Sequence, residues 1–203
     1  LACGAVAGPI FVGTYSVAGR VAAEYDRRRD PVSALARTDI SWVQTTNFVV
    51  SGTLMWAGAR GLWRALPSGT GSRAVPALVA AAASGLLGAG LFATDTADET
   101  AARGLSRRGA LHVASAVPFF TGMPAAAVIW GARSGGDGRP LSQVLSVNAG
   151  ALSLAAATVA GGGFGRTEGR LVRWAGFFQR LSVVAAFAWL TAASVDQRRR
   201  TRD

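Results

Sequence analysis

An all-α fold, one bundle of six transmembrane helices, is what this chain predicts, and three observations predict it. Six apolar stretches of about the length needed to cross a hydrocarbon core about 30 Å thick recur along the 203 residues: Leu1–Gly19, Trp42–Trp63, Val75–Phe92, Ala110–Ala132, Leu145–Gly163 and Trp174–Val195. Whole stretches lack the polar face that a helix of a soluble domain keeps toward water, and about 200 residues cannot bury six such helices in a protein core. Finally, nearly all the arginines sit in the short joints between the stretches and in a basic tail, residues 196–203. Residues 1–203 therefore read as a single six-helix transmembrane domain.

Helix is the expected state of every stretch, because in lipid each backbone N–H and C=O must be paired within its own segment. Strands of a membrane barrel would alternate apolar and polar side chains, and these segments do not. The first span carries Gly4 and Gly8 at the spacing that lets helix backbones approach, and Pro9 inside it. It has no basic lead and no cleavage site, so it reads as a helix rather than a signal-peptide core; a chain opening on Leu1 is expected to continue upstream. The second span brings in polar Gln44 and Asn47, and Pro67–Ser72 then forms a turn. In the third span the only polar side chain of Ala77–Phe92 is Ser84, and Ser84/Gly88 and Gly85/Ala89 repeat the small-residue spacing. These small residues read as packing within the bundle, with a dimer seam as the alternative.

The fourth span contains Pro118 and Pro124, which bend helices and are tolerated when neighbours re-pair the freed carbonyls. A second turn, Ser134–Pro140, leads to the fifth span, where Ala149–Gly163 has only Ser153 and Thr158 as polar residues. The run Gly161-Gly162-Gly163-Phe164-Gly165 reads as a helix end. Trp42, Trp63, Trp130, Trp174 and Trp189 fall at or near span ends, where indoles favour the membrane interface.

The formal charge is +10, and all 21 basic residues are arginine. Nucleic-acid binding would need a basic face on a soluble fold, which the pattern excludes. The expected partners are instead the bilayer, anionic lipid headgroups at the arginine-rich joints, and a lipophilic small molecule. Abundant Ala, Gly, Val and Arg without lysine fit a GC-rich bacterial genome, and the expected location is the bacterial plasma membrane. With six spans, joints two and four share a face with both termini. Their arginines Arg60, Arg64, Arg73, Arg133 and Arg139 stand in short, nearly acid-free loops, which places both termini in the cytoplasm. A single cysteine, Cys3, excludes an internal disulfide. One histidine, one cysteine and no HExxH, CxxC, P-loop or GxSxG pattern imply no metal and no cofactor.

The opposite face, formed by joints one, three and five, gathers the polar residues at the membrane edge: Asp39, Gln44, Asn47, Thr94, Asp95, His112, Gln179 and Arg180. Ionisable groups at this depth are costly and turn toward the bundle interior or water. Asp95 and His112 are the one acid–base pair on offer for proton transfer. Arg180, Asn47 and Gln179 are the candidate ligand-binding residues. Structurally, Arg180 would instead pair with Asp95 and His112 would donate a hydrogen bond between helices. Three functions follow: a binding or accessory bundle without catalysis; a metal-free intramembrane enzyme performing cyclisation or isomerisation on a lipid or isoprenoid-like substrate; and a small-solute carrier, disfavoured by the lack of paired broken helices.

The joint Tyr25-Asp26-Arg27-Arg28-Arg29-Asp30-Pro31-Val32-Ser33-Ala34-Leu35 and the following Thr38-Asp39-Ile40-Ser41-Trp42-Val43-Gln44 occur with Asn47-Phe48, Phe92-Ala93-Thr94-Asp95, Leu111-His112 and Gln179-Arg180. Together these pieces resemble, in order and over nearly the whole chain, a bacterial membrane family known only as domain of unknown function 998. The family's Phe-Pro-x-Asp motif stands here as Phe92-Ala93-Thr94-Asp95, with the proline lost and the acid kept. The resemblance implies six helices in a membrane and no settled reaction.

Overall fold

The computed structural model describes residues 1–164 and 166–202. Gly165, the end of the glycine run, and Asp203, the end of the tail, lie outside the described residues. The elements are α1 (Ala2–Val21), a 3-10 turn (Val32–Arg37), α2 (Ser41–Ala65), α3 (Ala74–Leu91), α4 (Ala97–Arg103), α5 (Arg107–Gly136), α6 (Pro140–Gly161) and α7 (Arg170–Arg200). No strand occurs among the described residues.

Each of the six expected spans falls on one long helix. Five of these, α1, α3, α5, α6 and α7, are long and apolar enough to cross a membrane. The sixth, α2, has 25 residues but is not among the five. Its polar Gln44, Asn47 and Ser51 lower its hydropathy, yet all three are buried against the other helices. Its outward residues include Val49, Val50, Trp56 and Trp63. Short α4 lies inside the third joint. A capping box starts it, with the Thr96 hydroxyl accepting from the Glu99 N–H and the Glu99 carboxylate accepting from the Thr96 N–H.

The long helices form a ring in which each packs on its sequence neighbours and α7 closes on α1. At the centre Phe11 stacks on Phe187 at 5.2 Å between ring centroids, and Phe48 and Phe119 join them at 5.6 and 5.4 Å. One aromatic cluster thus ties α1, α2, α5 and α7. The small-residue spacings serve this packing. A Cβ on Gly58 of α2 would meet the Gly4 Cα of α1 at 2.7 Å, so the two backbones touch. The outer surface of the helices is rich in exposed valine, leucine and isoleucine, which suits contact with lipid.

Two tryptophans depart from the interfacial expectation. Trp130 and Trp189 are buried in the core, while Trp42, Trp63 and Trp174 are exposed near helix ends. Counting along a span gives depth but not direction, and these two indoles face inward. The rim at joints two and four also differs from bare turns. Arg133 donates to the carbonyls of Pro67 and Thr70, Gln197 donates to Ala65, and Arg139 bridges Asp137 and Asp196.

Candidate functional site

The other rim is built on an interaction that reaches across most of the chain. After α1, Glu24 takes a left-handed backbone (φ 55°) and the segment Tyr25–Pro31 curls against α7. Within the curl the Asp26 carboxylate accepts from the Arg28 N–H at 2.8 Å, and the Asp30 carboxylate accepts from the Asp26 N–H at 2.9 Å. Successive carbonyls are then taken up by α7. Arg180 Nη1 donates to Arg27 at 2.7 Å and Asp30 at 3.1 Å, the Phe177 N–H to Arg28 at 3.0 Å, and the Gly176 N–H to Arg29 at 3.1 Å. Arg180 Nη2 donates to the Tyr25 hydroxyl, which in turn donates to the Pro31 carbonyl at 3.1 Å. Residue 176 must be glycine, because a Cβ there would collide with the Asp30 carbonyl oxygen. Burial pushes the Tyr25 phenol up to about 12, and the Arg180 charge beside it opposes that rise.

Arg180 is therefore committed to holding the first joint. The expected ion pair between Arg180 and Asp95 does not form among the described residues. The reason is geometric: the guanidinium fork meets backbone carbonyls of its own rim before it can reach the third joint. Asp95 caps α5 instead. Its two oxygens accept from the Ser106 hydroxyl and N–H, each at 2.7 Å, and Ser106 in turn accepts from the Gly109 N–H at 3.0 Å. The Asp95 carboxylate lies against Gly109, where a Cβ would clash with it. The Ser106 hydroxyl and N–H hold its carboxyl below the usual range, with the charge of Arg37 adding to the effect. Glu99 is likewise held low, first by the Thr96 N–H and also by Arg37, which it meets at 2.8 Å. Arg37 also donates to the Thr94 carbonyl at 2.8 Å, so it clamps the first joint to the third.

His112, one and a half turns into α5, is buried and places Nδ1 2.8 Å from the Phe92 carbonyl. A carbonyl only accepts, so Nδ1 carries a proton, and in the neutral ring Nε2 presents its lone pair on the other side. Gln179 is buried on α7, and its Oε1 accepts from the Val32 N–H at 2.7 Å. That bond fixes the amide's orientation and turns Nε2 the other way. Asn47 goes elsewhere: it donates to the Phe11 carbonyl at 3.1 Å and accepts from Ser51 at 3.3 Å, tying α2 to α1 inside the core.

Between the joints opens a cavity of about 1250 Å³. Its rim comes from joints one, three and five, and its walls from the near halves of α5 and α6, including Val113, Val117, Ala157 and Ala160. A smaller crevice of about 50 Å³ continues beneath it among Phe11, Phe48, Leu86, Phe119 and Val183. Ser33, His112 and Gln179 line both spaces and so stand at the neck between them. Of the predicted site residues, Asp95, His112 and Gln179 line the cavity; Arg180 and Asn47 do not. Ser33 and the Arg37–Glu99 clamp were not among the expected site residues. Ser33 lies in the segment after Pro31 that carries the family resemblance, a signal that could have selected it.

Chemically the neck offers one acceptor (His112 Nε2), one donor pair (Gln179 Nε2) and one hydroxyl (Ser33). Among the described residues no cluster of three or more His, Cys, Asp or Glu could hold a metal ion. The family model described as "Protein of unknown function (DUF998)" matches residues 5–196. No curated protein matches, and no solved structure does.

Proposed function

Since the chain belongs to the DUF998 family, which carries no assigned activity, we propose from the site itself that this membrane protein is a binding bundle for a lipophilic small molecule. The observation that carries the proposal is the form of the cavity. Its wall is apolar where α5 and α6 face each other, its neck is polar, and its rim is charged. Farther along, the same two helices pack closely: a Cβ on Gly131 of α5 would meet Val147 of α6 at 2.7 Å, and one on Gly150 of α6 would meet the Pro124 carbonyl at 2.8 Å. On the rim side, Val113 and Val117 are half exposed and line the cavity rather than an α5–α6 seam. A guest can thus enter sideways from the bilayer, lay its apolar body on these walls, and place an oxygen that both donates and accepts at His112, Gln179 and Ser33. In this reading all six long helices cross the plasma membrane as one domain, both termini are cytoplasmic, and the outer arginines meet anionic headgroups.

The test is organic extraction of protein purified in mild detergent, followed by mass spectrometry. A stoichiometric lipophile is expected from the wild type and a loss of at least tenfold from the folded fraction of His112→Ala and of Gln179→Leu. Equal recovery from all three proteins would sink the proposal.

One observation favours a second reading, proton-transfer chemistry on the guest. With Nδ1–H held by Phe92, His112 Nε2 in the neutral ring is free to act as a base, and His112 lines the cavity. Asp95 would then act only at a distance, since both its oxygens are engaged by Ser106. Conversion of the extracted guest by wild type but not by His112→Gln would favour this reading over plain binding.

A further inference from the structure

The charge inside the cavity runs opposite to that of the chain. Six of the 11 acidic residues, Glu24, Asp26, Asp30, Asp39, Asp95 and Asp98, line this one space. Only three of the 21 basic residues, Arg29, Arg37 and Arg166, line it with them. Arg37 is already paired with Glu99. A protein of formal charge +10 therefore surrounds an acidic vestibule.

The carboxylates divide into two kinds. Those of Asp26 and Asp30 accept backbone N–H groups of their own loop, and that of Asp95 caps α5 through Ser106. The side chains of Glu24, Asp39 and Asp98 are exposed and make no hydrogen bond or ion pair among the described residues. Beneath them, His112 and Gln179 are only 7% and 9% exposed; each lines the cavity, spends one polar atom on backbone and makes no hydrogen bond with the other among the described residues. Buried groups with an open hydrogen-bonding position, below free carboxylates, mark a seat for a guest rather than a solvated loop cluster. Low-dielectric walls beside the rim focus the field of these carboxylates on whatever lies between them.

We propose that the guest is a cationic amphiphile: a molecule with a protonated amine at the Glu24–Asp39–Asp98 rim, a hydrogen-bonding oxygen or nitrogen at the neck, and an apolar body against α5 and α6. Phosphate and carboxylate lipids are repelled by the same rim. Arg180, expected among the ligand-binding residues and the one with a charge suited to an anionic head, is engaged by backbone carbonyls instead. The inference rests on the binding reading above and adds the sign of the guest's charge.

Binding is measured for dodecylamine, dodecanol and dodecanoate, which share a chain length and differ in charge, with the protein in nanodiscs of phosphatidylcholine and with correction for partition into empty discs. The amine is expected to bind at least tenfold more tightly than the alcohol, with dodecanoate weakest and the gap narrowing as salt is added. A Glu24→Gln, Asp39→Asn, Asp98→Asn triple variant should lose that gap and still bind the alcohol; all three side chains are exposed, so folding is spared. Alcohol or dodecanoate binding as tightly as the amine would overturn the charge assignment and leave the binding bundle standing. Failure of all three probes to bind would overturn both.

Discussion

Arg180 carries more of the site's architecture than any other side chain, and it does so without a carboxylate. Its guanidinium donates to the carbonyls of Arg27, Asp30 and Gly176 and to the Tyr25 hydroxyl, and it lies over the rings of Tyr15 and Tyr25. Charge-assisted bonds of this kind are worth roughly 1.5–3 kcal/mol each, with large non-additivity within one network. Arg180→Gln should therefore cost about 3 kcal/mol and loosen the first joint, read as a lower thermal midpoint in detergent and faster proteolysis near Arg27–Arg29. Gly176→Ala should produce the same loosening with the arginine intact, because the added methyl displaces the Asp30 carbonyl. Tyr25 gives a spectroscopic readout. The chain has two tyrosines, so in a Tyr15→Phe background the phenolate absorbance near 295 nm reports Tyr25 alone. The step should fall near pH 12 rather than near 10. The sign follows from linkage: the folded state keeps a proton that the unfolded chain releases, so stability declines as pH rises from 10 toward 12. A step near 10 in the folded variant would mean that the joint does not shield Tyr25.

Element α5 starts from a chain of caps, Asp95 to Ser106 to Gly109, and this start is pH-sensitive. A carboxyl held below its ordinary value of 3.8 contributes stability above that value and loses it as pH falls through the folded one. Melting profiles should show a drop as pH falls below 3.8 that is smaller in Asp95→Asn, where the side-chain oxygen accepts at any pH. An unchanged profile would mean that Glu99, in the capping box of α4, dominates the acid response. The helices themselves were legible because lipid demands paired backbones and apolar faces, which sequence displays directly. Helix α4 was also legible in principle, since Thr96 and Glu99 stand at capping-box spacing, but seven residues do not rise above a joint. The Tyr25–Pro31 curl was not legible. Its own backbone carbonyls accept from α7 donors about 150 residues away, and a search for charge partners of Arg180 finds Asp95 instead. Depth by counting likewise placed Asn47 beside His112 but could not say that Asn47 faces Phe11, away from the cavity.

At the scale of the whole molecule, the parity of the membrane crossings turns on α2. At about 1.5 Å per residue its 25 residues cover about 37 Å, more than the hydrocarbon core requires. Most of its buried polar atoms pair inside the bundle, as Asn47 does with Phe11, Gln44 and Ser51, which lowers their cost in lipid, although Gln44 Nε2 is buried without a partner. A polar face packed against neighbouring helices, with apolar residues on the other face, would let a helix of modest mean hydropathy cross. Crossing by α2 puts joints one and three on one side of the membrane and joint two on the other. In a Cys3→Ser background, single cysteines at exposed Ala23, Ser68 and Ala102 report the three joints to a membrane-impermeant maleimide applied to intact cells. With six crossings and cytoplasmic termini, Ala23→Cys and Ala102→Cys are labelled and Ser68→Cys is protected until the cells are opened. The inverse orientation labels Ser68→Cys alone. If Ala23→Cys and Ser68→Cys respond alike while Ala102→Cys differs, α2 does not cross. Joints one and three would then lie on opposite membrane faces, and the cavity that both of them rim could not form.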